Sequence, residues 1–147
     1  MRSLFVALIT AAVAAQTASG AAPASTPRFF PATEVNASFA KGAQLAEADS
    51  YKISTSRRDA PGMVEVHARD TDVMYILDGS ATIVTGGDVV GGKTSAPGEI
   101  RGQSIRGGKE QRLSKGDVFV VPNGVPHWFR DVPAPIQYYV VKVTSPR

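Results

Sequence analysis

Two histidines and two carboxylates are the residues of this chain best suited to do chemistry. His67 and His127 are its only histidines. His127 ends the run Gly116-Asp117-Val118-Phe119-Val120-Val121-Pro122-Asn123-Gly124-Val125-Pro126-His127, in which a strand gives way to a tight turn that delivers one imidazole directly after it. His67 ends Val64-Glu65-Val66-His67, where residues two apart share a strand face, so Met63, Glu65 and His67 point one way and Val64 and Val66 the other. The turn Ala68 to Thr71 then returns the chain, and Asp72 opens the next strand as a cross-strand neighbour close enough to touch the same ion.

Neutral imidazoles and ionised carboxylates suit a borderline divalent cation, and two carboxylates would balance its charge inside an apolar cavity. His67, Asp72 and His127 alone make a two-histidine, one-carboxylate set, the combination that holds non-haem Fe(II) with positions left open; zinc or manganese is equally satisfied. Two roles are open to Glu65: a further metal ligand, or a general base beside the metal. The alternative reading makes His67 a hydrogen-bonded core residue and His127 a turn residue beside Pro126.

These side chains need a β scaffold, and the chain supplies one. Short strands are expected over 50–56, 63–68, 72–77, 81–85, 110–113, 117–121, 127–130 and 136–143, separated by Asp78-Gly79, Gly86-Gly87, Gly107-Gly108 and Lys115-Gly116, where glycine supplies positive φ. Many short strands with a single helix argue for an all-β fold, an antiparallel jelly-roll barrel. The helix is expected near 33–42, with Thr33 as its cap, Val35 and Phe39 on one face and Gly42 as its stop. Residues 88–104, with Gly91-Gly92, Pro97-Gly98 and Gly102, read as an irregular loop, either a gate over the site or a surface insertion. If Asp72 faces inward, so do Met74 and Ile76, while Val73, Tyr75 and Leu77 face outward; Phe129 and Tyr139 are expected inward and Trp128 outward.

The 147 residues suffice for one domain. Residues 1–22 read as a secretory signal peptide, with the basic Arg2, an apolar run from Leu4 to Ala15 and small residues for cleavage between 15 and 21. That run is short of the roughly 20 residues a permanent membrane span needs. A secreted or periplasmic protein with no membrane partner is expected, with an arm and helix over 23–45 and the barrel over 46–147. The chain has no cysteine, so no disulfide supports it. Its net charge of +3 is scattered among acids, which argues against nucleic acid as a partner. Arg57, Arg58 and Lys109 are either anion contacts at a barrel mouth or exposed strand-end charges.

The sequence resembles the cupins from Ser50 to Val143. The second cupin motif, G-x5-P-x-G-x2-H-x3-N, is matched by Gly116, Pro122, Gly124 and His127, with Asp131 in place of Asn. The first, H-x-H-x4-E-x6-G, aligns with Glu65 at the first histidine, His67 at the second, Asp72 at the glutamate and Gly79 at the glycine. The resemblance implies a barrel holding one divalent metal (iron, manganese, zinc and nickel are not distinguished) through His67, Asp72, His127 and Glu65, and a homodimer. The leading reading is chemistry on a small organic molecule, oxygenation, isomerisation or elimination, with Glu65, where it is not a ligand, as the catalytic base. The alternative in another class is a module that captures a small ligand or a metal without turnover.

Overall fold

The computed structural model describes residues 26–146; the expected leader over 1–22 lies outside them. A short helix, α1 (Ala32–Ser38), precedes thirteen strands. They are β1 (Ala43–Ala48), β2 (Tyr51–Arg58), β3 (Val64–His67), β4 (Asp70–Asp78), β5 (Ser80–Thr85), β6 (Asp88–Val90), β7 (Lys93–Ala96), β8 (Glu99–Gly102), β9 (Ser104–Arg106), β10 (Lys109–Ser114), β11 (Val118–Val121), β12 (His127–Asp131) and β13 (Ile136–Thr144).

A five-stranded sheet runs β1-β2-β13-β4-β11, a six-stranded sheet runs β10-β5-β12-β3-β8-β7, and β6 pairs with β9. All pairings are antiparallel, which gives the two-sheet jelly-roll architecture expected from the strand spacing. The core between the sheets takes Met74, Ile76, Val121, Ile136, Tyr138 and Val140 from one, and Ala81, Ile83, Leu113 and Phe129 from the other. Each follows from alternation: Asp72, Met74 and Ile76 are buried in turn, while Tyr75 between them is exposed.

The turn from β4 into β5 rests on one glycine. Gly79 has φ +78°, and a Cβ there would stand 2.1 Å from Pro135 O and 2.9 Å from Ile136 Cα. The turn is thereby pressed against the start of β13.

Several expectations are corrected. The segment 88–104 is no irregular loop: β6, β7, β8 and the start of β9 fill it, with β8 hydrogen-bonded to β3 and β6 to β9. The glycines that suggested irregularity are turn and strand positions: Gly98, at φ +79°, is in the β7–β8 hairpin, Gly91, at φ +65°, turns the chain from β6 to β7, and Gly102 ends β8. β1, in Ala43–Ala48, was missed because alanine is a poor strand former; pairing with β2 overrides propensity. Thr33 does not cap α1. The helix starts from Pro31, the N-cap, extended at φ −65°, ψ 150° with no side-chain cap, and its carbonyl accepts from the Glu34 and Val35 amides. Val35 and Phe39 do face the body: Val35 is half-buried, and Phe39 is buried with its ring edge-on to Tyr139 at 5.3 Å. That contact puts Tyr139 on the outer face, and Tyr138 is the inward aromatic, stacked on Phe129 at 5.4 Å. Trp128 points away from the core as expected and donates its indole N–H to Gly62 O at 2.8 Å. No helix among the described residues is long and apolar enough to cross a membrane.

Candidate metal centre

The most consequential departure concerns how His67 meets Asp72. β3 and β4 are not a hairpin; β3 belongs to the six-stranded sheet and β4 to the five-stranded one, so the chain crosses the barrel between them. Asp72 therefore arrives from the wall opposite His67, and both point inward. Their distance is still short: His67 Nε2 lies 3.6 Å from Asp72 Oδ2, and His127 Nε2 lies 3.7 Å from the same oxygen. Glu65 Oε2 stands 3.5 Å from His67 Nε2. One donor atom each from Glu65, His67 and His127 lies within 4.8 Å of the others, and the two imidazole centroids are 5.2 Å apart.

Glu65, His67 and His127 thus bring one donor atom each to a common region, and Asp72, outside that three-residue set, approaches both imidazoles. Bonds of about 2.1 Å to one ion put neighbouring donor atoms about 3.0–3.5 Å apart at octahedral or tetrahedral angles. The contacts of 3.5–3.7 Å lie at or just beyond the upper end of that range, while the three-donor set is held only within 4.8 Å, so side chains would have to draw inward around a cation.

Strand register explains the company each residue keeps. On β3 and β8, Glu65 is the cross-strand partner of Arg101 and His67 that of Glu99. Arg101 Nη1 lies 2.7 Å from Glu65 Oε2, and Glu99 Oε2 lies 2.6 Å from His67 Nδ1. On the other sheet Lys142 of β13 is directly opposite Asp72 of β4, and Lys142 Nζ donates to both carboxylate oxygens at 2.7 and 2.9 Å. Arg58 reaches Glu65 Oε1 at 2.9 Å, donates to the Tyr138 hydroxyl at 2.9 Å and lies over the Phe129 ring at 4.6 Å. Arg57 instead pairs with Asp59, and Lys109 is exposed.

Glu99, Arg101 and Lys142 were missed by sequence reasoning. The alternation Glu99-Ile100-Arg101-Gly102, with two charged side chains two apart, is the signal for a strand in the supposed loop. Nothing local marks Lys142, because only the β4–β13 register brings it to a residue seventy positions away.

The electrostatics follow from this packing. Burial works to raise the Glu65 carboxyl, but His67, Arg101 and Arg58 outweigh it and hold it far below the usual carboxylate range. Burial pulls His67 down, and the carboxylates of Glu65, Asp72 and Glu99 more than offset burial and Lys142, leaving it above its ordinary value. His127 is pushed below the usual histidine range by burial, which the nearby carboxylates only partly oppose. A neutral imidazole is the form that can coordinate a metal.

Does a metal fit? With Nδ1 bonded to Glu99, His67 turns Nε2 into the cluster, where it is buried with no hydrogen-bond partner. The protonated ring points an N–H toward Glu65 and Asp72; in the neutral ring with its proton on Nδ1 the buried Nε2 lone pair lacks a donor, which is costly, and a cation among these four residues would satisfy it. The donor set fits. Its rival is Lys142, which already occupies both oxygens of Asp72.

Glu99 acts through His67 and is therefore a positioning residue. Glu99→Ala is expected to weaken metal binding by about 10–100-fold, as loss of a carboxylate behind a ligating histidine does. Glu99→Gln, whose amide oxygen still accepts from Nδ1, is expected to recover part of that loss in a metal titration; equal loss in both would make Glu99 merely structural.

A buried cavity of about 120 Å³ borders Asp72, His127, Met74, Phe129 and Tyr138. A cleft of about 690 Å³ opens beside it, bordered by His67, Glu99, Arg101 and Arg69. Glu65 and Lys142 line both and form the partition between them.

The fold and this cluster define a β-barrel protein with a candidate metal centre at its middle. The family model described as cupin matches residues 17–147, and the chain belongs to that family. Among solved structures it is similar to BH2720 from Bacillus halodurans (TM-score 0.58, 12% identity, 85% of this chain and 87% of that one). It is also similar to KdgF from Halomonas sp. (TM-score 0.51, 17% identity, 71% and 80%) and to the DMSP lyase DddQ from Ruegeria pomeroyi (TM-score 0.50, 20% identity, 70% and 46%). These likenesses show the fold. No curated protein matches the sequence.

Proposed function

We propose that this cupin binds one divalent metal through His67, His127 and Glu65, with Asp72 available as a further ligand, and acts on a small organic molecule reached through the cleft. The observation that carries the reading is the buried, unpartnered Nε2 of His67, aimed at the other donors. When bound, the metal supplies Lewis-acid or oxygen-activating chemistry. Glu99 fixes the tautomer of His67, and Arg58, held by Tyr138 and Phe129, fixes the Glu65 carboxylate.

Glu65 is held far below the usual carboxylate range, so it stays ionised. It is a better ligand than base, because strong cationic partners reduce its appetite for a proton. That shifts the weight from the catalytic role toward the ligand role. The likeness to a lyase fold supports elimination as one reaction class open to such a centre.

Elemental analysis of protein purified without chelator tests the reading. About one iron, manganese, zinc or nickel per chain is expected, and the metal should raise the unfolding temperature by binding only the folded state. A stable, metal-free protein that takes up no divalent ion, yet is stabilised by a small ligand, would favour the non-catalytic binding module. A homodimer remains part of the proposal, supported by the apolar outer face at Tyr75, Val118 and Val120, which are 48%, 64% and 51% exposed; sedimentation would read it.

A further inference from the structure

The two buried side-chain nitrogens without hydrogen-bond partners among the described residues are opposite in kind. In the neutral ring with its proton on Nδ1 toward Glu99, His67 Nε2 offers a lone pair to a cation; Arg101 Nη1 is a donor whose nearest acceptor is Glu65 Oε2. Although Arg101 Nη1 is 2.7 Å from Glu65 Oε2, that contact is an ion pair without hydrogen-bond geometry. The two atoms flank the same carboxylate.

Charges point the same way. Glu65, Asp72 and Glu99 face Arg58, Arg101 and Lys142, three carboxylates against three cations. With neutral imidazoles the cluster is balanced before any ion arrives. A divalent metal would leave an excess of two positive charges in a partly buried site, which low-dielectric surroundings make costly. Binding Glu65 and Asp72 to a metal would also weaken their hold on Arg101 and Lys142, both of which border the cleft.

We infer that the centre binds its metal together with a small monocarboxylate from the cleft, whose oxygens take Arg101 and Lys142 as partners while Glu65 and Asp72 turn to the metal. This rests on the metal reading above and names the class of molecule it acts on. Arg101 offers the planar fork that matches a carboxylate, and Lys142, from the opposite sheet, offers a point charge on the same cleft. One carboxylate halves the excess charge, and solvent in the open cleft screens the rest. The cleft walls carry Glu47, Asp49, Asp70 and Glu99 against Lys52 and Arg69, a mixed lining that offers no added cationic surplus for a multiply charged anion such as a phosphate monoester.

Binding linkage decides it. Manganese(II) is titrated into metal-free protein at constant ionic strength with acetate or with its neutral isostere acetamide, and free manganese is read by electron paramagnetic resonance. Acetate is expected to tighten manganese binding at least about fivefold over acetamide, within the usual range for coupled sites. Arg101→Met and Lys142→Met are expected to erase that difference, and Lys142→Met to bind manganese more tightly in acetamide, because Asp72 has lost its resident cation. Equal affinity in acetate and acetamide overturns the inference and leaves the metal reading standing. No binding of manganese, iron, zinc or nickel under either condition overturns both. Should a variant fail to fold by circular dichroism, the wild-type comparison of acetate with acetamide is sufficient by itself.

Discussion

Replacing His127 with alanine is expected to take the metal content of the purified protein to near zero while the barrel remains folded. His127 supplies one of two imidazoles, and its loss leaves Glu65, held by Arg58 and Arg101, and Asp72, held by Lys142, as the oxygen donors. Neither carboxylate can replace the second imidazole, because Glu65 and Asp72 already belong to the donor set and each must first loosen its hold on a cation. Removing a residue that only supports a ligand costs about 10–100-fold in affinity, so removing the ligand itself is expected to cost on the order of a hundredfold or more. The fold should survive, since His127 lies at the start of β12 and the apolar core is built by Ile83, Ile76 and Phe129 beyond it. A destabilisation of about 1–3 kcal/mol is expected for a buried side chain removed beside Phe129 and Met74. Elemental analysis with circular dichroism reads both. A variant that keeps its metal as well as the parent would show that the histidines do not form the site.

The largest expected effect on stability lies at Gly79. Alanine there must adopt φ +78°, which costs about 1–2 kcal/mol for an ordinary residue. Its Cβ must also displace backbone, Pro135 O at 2.1 Å and Ile136 Cα at 2.9 Å, where no side chain can swing aside. Overpacking of that kind adds about 1–3 kcal/mol, so a total of about 2–5 kcal/mol is expected from urea denaturation. Gly86→Ala is the control. It has φ +70° with nothing within 4 Å of the added Cβ, and should show the backbone share alone. Similar losses in both would mean that the approach of the turn to β13 carries no weight.

Much of this molecule was legible in its sequence, for a physical reason. Alternation along a strand is local, so the inward set Asp72, Met74, Ile76 could be read from residues 72–76 alone, as could the shared face of Glu65 and His67. Which strand lies beside which is not local. A tight turn after His67 suggested a hairpin, and the chain instead crosses to the other sheet; the ligands converge across the barrel and not along one face. Parity also failed once, at Tyr138 and Tyr139, because adjacent tyrosines look alike and only the packing of Phe39 tells them apart. The cations around the site were the costliest omission. Glycines in 88–104 disguised the strand bearing Glu99 and Arg101, and Lys142 reaches Asp72 through a pairing that no window of sequence contains.

Trp128, the sole tryptophan of the chain, follows His127 directly and is tethered to Gly62 O on the far side of the same strand. The protein thus carries a native optical reporter one peptide bond from its centre. A paramagnetic ion held by His127 would quench its emission while zinc would not, so loading could be followed in real time by fluorescence without any label.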